Sequence, residues 1–376
     1  MRRSPWTRGP LVAAAVFIPL ASSVVAQAAT TGGGGDAAVF VQTNDPTGNG
    51  IAVYDRHGDG TLTWVATYST GGLGGRSVGS GSDPLASQGS LVYASQSSTL
   101  YAVNAGSNSI SVIGVHGDRL DLRQVIASGG AFPTSIAVHG DAVYVLNAGG
   151  TANVSGFRVV NGWLHPISHS TRTLGLTETT PPAFLASPAE VGFTPDGRQL
   201  IVTGKTNNFI DVFAVRNDGR LALSPVQTAD ASVPFAFAFA PARQLDLLNA
   251  AGNLAPSRVH DNGTITPRGT PVADGQAAAC WIVLARDFAY VANTASNDIS
   301  EYHIADNGTV TLVNATAASG VSGATDLTES AGRFLYAQVG LGSSVNVYAI
   351  NGDGSLTWLQ TAAVPGGSSQ EGIVSS

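Results

Sequence analysis

Cysteine is nearly missing from this sequence: Cys280 is the only one in 376 residues. No intramolecular disulfide can form, so stability must come from packing. Charge is sparse as well, at 11% of residues, and Lys205 is the only lysine beside 17 arginines. After the first 28 residues nothing approaches the ~20 uninterrupted apolar residues that a membrane-spanning helix needs. No phosphate-cradling loop of the P-loop or dinucleotide type occurs, and Gly32 to Gly35 is not followed by a helix. The seven histidines are scattered: His57, His116 and His260 lie near hairpins, His139 in a connection, and His165, His169 and His303 on expected outer strands. That scatter disfavours a Ser-His-Asp triad and a histidine-based metal site. No cofactor and no metal are expected.

The N-terminus reads as an export signal. Arg2, Arg3 and Arg8 precede an apolar run from Leu11 to Val25 that ends in Ala26-Gln27-Ala28, the pattern of a signal peptide cleaved after Ala28. Its removal takes away three arginines and no acid, so the formal charge moves from −7 to −10 over 348 remaining residues. An acidic chain without a basic stripe is a poor partner for nucleic acid or anionic membranes. The expected product is a secreted or periplasmic monomer with no membrane span. Thr30 to Asp36, with four consecutive glycines, reads as a flexible leader.

Repetition then decides the fold class. A short strand with an aliphatic or aromatic anchor recurs at Leu91, Ile136, Val191, Phe237, Ile282, Leu327 and Ile373, with spacings of 45, 55, 46, 45, 45 and 46. A Gly-rich hairpin turn also recurs seven times, at Gly58-Asp59-Gly60, Gly117-Asp118, Asn161-Gly162, Asn217-Asp218-Gly219, Asp261-Asn262-Gly263, Asp306-Asn307-Gly308 and Asn351-Gly352-Asp353-Gly354. Such turns supply the positive φ that tight hairpins demand and sit between alternating strand-like runs. Four strands in about 45 residues is the dimension of one propeller blade. The chain opens on outer strands (Ala37 to Tyr68) with no inner strand before them and closes on an inner strand (Gln370 to Ser375) with no outer strands after it. The halves complete each other. A pair of β-sandwiches also has short strands and frequent turns, but seven units in fixed register predict an all-β, seven-bladed β-propeller over residues 37–376, closed by pairing of the two chain ends.

The strings Leu100-Tyr101-Ala102-Val103-Asn104-Ala105-Gly106-Ser107-Asn108, Tyr290-Val291-Ala292-Asn293-Thr294-Ala295-Ser296-Asn297 and Phe193-Thr194-Pro195-Asp196-Gly197-Arg198 resemble the repeats of the seven-bladed propeller lactonase family. That family includes propeller-type 6-phosphogluconolactonase and the carboxymuconate-lactonizing enzymes. The resemblance spans essentially the whole chain after the signal. It implies hydrolysis or isomerisation of a small lactone or sugar-acid ring at the top of the central channel. The lactonizing relatives are associated with histidine, arginine and acidic groups around the channel, and the scattered histidines here depart from that pattern.

Chain direction puts all seven Gly turns on one face, the bottom. The longer crossings, roughly Thr70 to Gln88 and Thr171 to Pro188, fall on the top, where scaffolds gather recognition loops. Two residues precede each anchor at the top rim: Gly89-Ser90, Thr134-Ser135, Ala189-Glu190, Phe235-Ala236, Cys280-Trp281, Thr325-Asp326 and Glu371-Gly372. Candidate catalytic groups are Glu190 as general base, Lys205 as oxyanion stabiliser and Asp326 obliquely across the channel. A plain Glu190–Lys205 salt bridge is the alternative. Asn104, Asn147, Asn249 and Asn293 recur in one loop class, where their amides would bind polar substrate groups or merely brace turns. Trp281 would offer a stacking face or serve as core. Arg76 and Asp83 belong to a Gly/Ser-rich crossing that forms a lid or carries ordinary solvated charge. Cys280 reads as a nucleophile without an activating histidine, or as a small buried residue. Two functions follow: a secreted lactonase-like enzyme acting on a small lactone or sugar acid, or a non-catalytic extracellular module that binds a glycan, peptide or wall component.

Overall fold

A computed structural model describes residues 37–240 and 244–376. The expected signal peptide and leader lie outside the described residues. Seven antiparallel sheets follow one another along the chain, and the fold is a seven-bladed β-propeller. The innermost strands of blades 1 to 7 are Leu91–Ala94, Ala131–His139, Pro188–Phe193, Pro234–Ala240, Ala279–Ala285, Ala324–Ser330 and Ile373–Ser375. Each carries one of the seven repeat anchors.

Blade 7 closes the ring. Ile373–Ser375 pairs antiparallel with Ala38–Gln42, aligning Val39 with Ser375 and Val41 with Ile373. Gly50–Arg56 and Leu62–Ser69 complete the sheet outward. Hydrogen bonds continue past the strand ends, from Gln42 N to Gly372 O and from Ser376 N to Ala38 O. Pairing the two ends completes the seventh sheet and closes the ring of blades.

Second strands lie between blades that cover both faces, and their sequences are accordingly apolar without alternation. Phe334–Val339 and Phe288–Asn293 are buried at every position. Outer strands such as Leu62–Ser69 are largely exposed. All seven Gly turns join third strands to fourth on the bottom face. At Gly60 the backbone has φ +89, and a Cβ there would lie 2.2 Å from the Phe334 ring of blade 6, so the turn approaches its neighbour more closely than any side chain permits. Tyr336 of blade 6 donates its hydroxyl to Gly60 O at 3.1 Å.

The second crossing is shorter than its sequence indicates. Arg172–Thr177 joins the sheet as a further piece of blade 2's outer edge, beside Thr151–Val160. The Arg172 guanidinium fixes it there by donating to Leu221 O, Ala222 O, His169 O and Thr171 O. Likewise the last inner strand starts at Ile373 rather than Gln370, because the Gln370 amide turns away to bond Val339 O and Ser344 O.

Candidate active site

Two local devices place side chains at the top rim. First, five inner strands carry a register shift on entry, between Pro133 and Ser135, Pro188 and Glu190, Pro234 and Ala236, Ala279 and Trp281, and Ala324 and Leu327. The skipped residue of a bulge is released from the strand's alternation and re-aims its side chain. Phe235 and Cys280 occupy such positions, and both line a cavity while remaining part of the hydrophobic core.

Second, the free edges of the inner strands face the axis, so the N–H of each anchor needs an acceptor. The residue before one anchor often serves the next blade. Ser135 Oγ accepts from Val191 N at 3.2 Å, Glu190 Oε2 from Phe237 N at 2.7 Å, and Asp326 Oδ2 from Ile373 N at 3.2 Å. Ala236 has no acceptor to offer, and Gln88 Oε1 accepts from Ile282 N at 2.9 Å in its place. Trp281 offers none either, and Leu327 N turns to Asp326 Oδ1 at 2.8 Å.

Gln88 belongs to a segment of the first crossing that folds across the axis. Leu85 N and Ser87 N donate to Glu371, and Ser87 Oγ donates to Thr134 O. The indole of Trp281 donates to Ser87 O at 3.1 Å, and Lys205 Nζ to Ala86 O at 2.8 Å. Partners from blades 2, 3, 5 and 7 thus hold residues 85–88, which fill the mouth of the channel. The two crossings also bind each other: Val78 N donates to Pro182 O, and Phe184 N to Val78 O at 3.0 Å.

Beside this plug lies a cavity of about 440 Å³, bounded by blades 3, 4 and 5 and by both crossings. Its wall is apolar, built from Phe184, Leu185, Val233, Phe235 and several alanines, with Cys280 and Thr294 among them. Asp83 and Lys205 are its only charged lining residues. Each is 2% exposed. Lys205 Nζ also donates to Ser187 Oγ at 2.9 Å and sits 5.6 Å from the centres of the Phe184 and Phe235 rings. Burial pulls the ammonium down to about 8, against the opposing field chiefly of Asp83. The amine is therefore close to losing its proton at neutral pH.

Asp83 accepts from Ala86 N at 2.6 Å. The Glu371 carboxyl lies near enough for the two acids to influence each other's ionisation. Asp83 Oδ2 has no hydrogen-bond donor of its own. Burial raises both acids, and Glu371, in the added fields of Asp83 and Asp326, is raised further. Asp83 is thus the more readily ionised of the two, and it shares the cavity wall with Lys205. Burial holds the Cys280 thiol well above its usual range, so it is not a nucleophile at neutral pH.

The structure separates several residues that the sequence groups together. Glu190 and Lys205 form no ion pair: Glu190 is taken by Phe237 N and, through Oε1, by Gln88 Nε2 at 3.3 Å. Burial raises Glu190 far above the carboxylate range and Asp326 to about 7. Trp281 is fully buried and packs edge-on against Phe235 at 5.4 Å, so it presents no open stacking face. Asn104 bonds Ser109, Ser111, Thr70 and Asn49, Asn147 bonds Ser128 and Asn153, Asn249 bonds Asn253, and Asn293 bonds Asp298 and Ser300. None of the four reaches the cavity. Arg76 ties the first crossing to Gly81 O, Ser80 Oγ and Ser369 Oγ. Asp83 is buried, not the solvated loop charge its Gly/Ser-rich surroundings suggest. Sequence reading offered Asp83 only as part of a lid or as solvated charge, not as a cavity-lining acid, and missed Phe184 and Glu371 as site residues; for Glu371 the available signal was its place in the same rim row as Cys280.

No cluster of metal-ligating side chains occurs among the described residues, and no helix there is long and apolar enough to cross a membrane.

Residues 246–370 match the sequence model of a family described as Lactonase, 7-bladed beta-propeller. No curated protein matches the sequence. Among solved structures, the periplasmic gluconolactonase of Pseudomonas aeruginosa is 17% identical, with 90% of this chain and 98% of that one covered at a TM-score of 0.69. A Bacteroides uniformis protein provisionally assigned as a 6-phosphogluconolactonase is 18% identical, with 90% and 99% covered at 0.69. Virginiamycin B lyase from Staphylococcus aureus is 14% identical, with 72% and 82% covered at 0.51. At such identities the neighbours carry the fold, and the chemistry has to be derived from the site. In fold throughout, and in sequence over residues 246–370, the chain resembles the seven-bladed β-propeller lactonase family.

Proposed function

We propose that the protein is an exported lactonase-like hydrolase that opens a lactone in the cavity beneath the two crossings. The observation that carries this reading is the pairing of one carboxylate, Asp83, with the chain's only lysine as the sole charged groups of an otherwise apolar, 440 Å³ cavity. Asp83 takes a proton from water as the water oxygen attacks the lactone carbonyl carbon. The carbonyl oxygen gains charge beside Lys205, whose positive end is already fixed by Ala86 O and Ser187 Oγ and needs no reorganisation. Collapse breaks the ring C–O bond, and the leaving oxygen receives the proton from Asp83, so the product is a hydroxy acid. Glu190 and Asp326 hold the blades together, the role their backbone partners support.

Proton release measured against a lactone panel tests the reading. Asp83→Asn keeps the acceptor for Ala86 N and is expected to lose at least about 100-fold in kcat. Full activity in that variant refutes the assignment of the base. The absence of histidine among the cavity's lining residues favours a second reading, an extracellular binding module. Retention of the protein on cell-wall material, with no lactone opened, decides for it.

A further inference from the structure

The relatives' names point to sugar lactones, yet the cavity is chemically unlike a sugar site. A sugar lactone carries several hydroxyls, each of which leaves water and needs a partner. Here the wall facing them is Phe184, Leu185, Val233, Phe235, Ala251 and Ala278. The hydroxyls present are largely committed already, Thr206 to Leu185 O and Thr294 to Ala324 O. A phosphorylated ring fares worse. No arginine lines the cavity, and Lys205 spends two of its three donors on the protein.

The entrance repeats this character. Leu185 on the lip is 61% exposed and Val78 beside it 59%. Val78 is held to the second crossing through its bonds with Pro182 and Phe184. An exposed apolar margin continuous with an apolar cavity marks a site for an apolar ligand.

We propose, resting on the lactonase reading above, that the preferred substrate is an uncharged lactone bearing an alkyl substituent, bound with its carbonyl toward Lys205 and its chain along the Phe184–Phe235 wall. The volume of about 440 Å³ falls within the ~300–1,000 Å³ usual for small-molecule sites and leaves room for a chain beyond the ring.

The test compares kcat/KM for δ-lactones of increasing alkyl length with glucono-δ-lactone and its 6-phosphate. Each added methylene is expected to raise kcat/KM roughly fourfold until the cavity is full, from the free energy of burying one CH₂. A glucono-lactone or its phosphate turned over as well as the alkyl series overturns the proposal. Calorimetric binding of 2-alkylcyclohexanones, which have the ring carbonyl but no scissile ester, is read in parallel. Affinity should climb with chain length in the same ratio and fall at least tenfold in Ala251→Trp, which fills the cavity from an exposed position. Binding with that pattern but without turnover of any lactone upholds the apolar selectivity and refutes the hydrolase. Absence of chain-length dependence in binding overturns the selectivity whatever the hydrolase assay gives.

Discussion

Replacing Lys205 with methionine separates what the buried amine does for the fold from what it does for chemistry. Methionine keeps the length and apolar stem but removes the charge. The ammonium is displaced from 10.5 to about 8 chiefly by burial, which corresponds to on the order of 3 kcal/mol against keeping it charged in place. Removing the charge relieves that penalty. Against this, Ala86 O and Ser187 Oγ lose their donor, at about 1–2 kcal/mol each. The two effects offset, and the urea midpoint of Lys205→Met should stay within about 1 kcal/mol of the parent, as when buried charges give way to apolar residues of similar size. Activity has no such compensation. Loss of a preorganised oxyanion donor costs about 2.7–4 kcal/mol of transition-state stabilisation, or about 100- to 1,000-fold in kcat. Kinetics on the best lactone together with chemical denaturation reads both quantities from one preparation. A variant that is stable and fully active refutes the role given to Lys205; one that unfolds shows the amine to be a structural strut.

Burial raises the Glu190 carboxyl, whose two oxygens serve Phe237 N and Gln88 Nε2, so Glu190→Gln, which keeps one acceptor and loses the other, should leave kcat unchanged and cost no more than about 1 kcal/mol of stability. Glu190→Ala orphans that N–H and should destabilise by about 1–3 kcal/mol, as read by urea denaturation; loss of turnover in the Gln variant at unchanged stability would return catalysis to Glu190. Stability should fall with rising pH. Asp326 stands at about 7, and Glu190 and Glu371 are also raised by burial, so between ordinary carboxylate values and these the folded state holds protons that the unfolded chain has released. Each such group then contributes a slope of up to about 1.4 kcal/mol per pH unit, and a urea midpoint that is flat or rises from pH 5 to 7 contradicts the assignment. Gly60→Ala should cost about 2–4 kcal/mol from its φ of +89 and the Phe334 ring 2.2 Å away, whereas Gly58→Ala, with nothing within 4 Å, should stay within about 0.5 kcal/mol; equal melting temperatures for the two exclude the proposed inter-blade contact.

How much of this was legible in the sequence depends on whether a residue sits inside the repeat or outside it. The anchors and Gly turns obey a fixed spacing, so the blades, the bottom face and the closing blade follow from it directly. Lys205 and Cys280 were placed at the top because their positions are counted from an anchor. Asp83 was placed there too, with its crossing, but its burial was not legible, because that depends on residues 83–88 folding back over the axis, and an insertion has no period to read. Glu190 shows the opposite limit. An isolated acid at a rim looks catalytic until the unpaired N–H of Phe237 in the next blade is seen, and such a demand is visible only once the blades are side by side. The asparagines behaved as turn chemistry suggests, bonding within and between neighbouring loops.

The closing segment couples the seal of the ring to the plug of its channel. The same stretch that staples Ala38–Gln42 into the ring carries Glu371, which receives Leu85 N and Ser87 N from a crossing read nearly three hundred residues earlier. Removing residues 371–375 therefore strips Ala38–Gln42 of its inner partner and takes the Glu371 anchor from Leu85 and Ser87 at the same time, while the other six sheets keep all their strands.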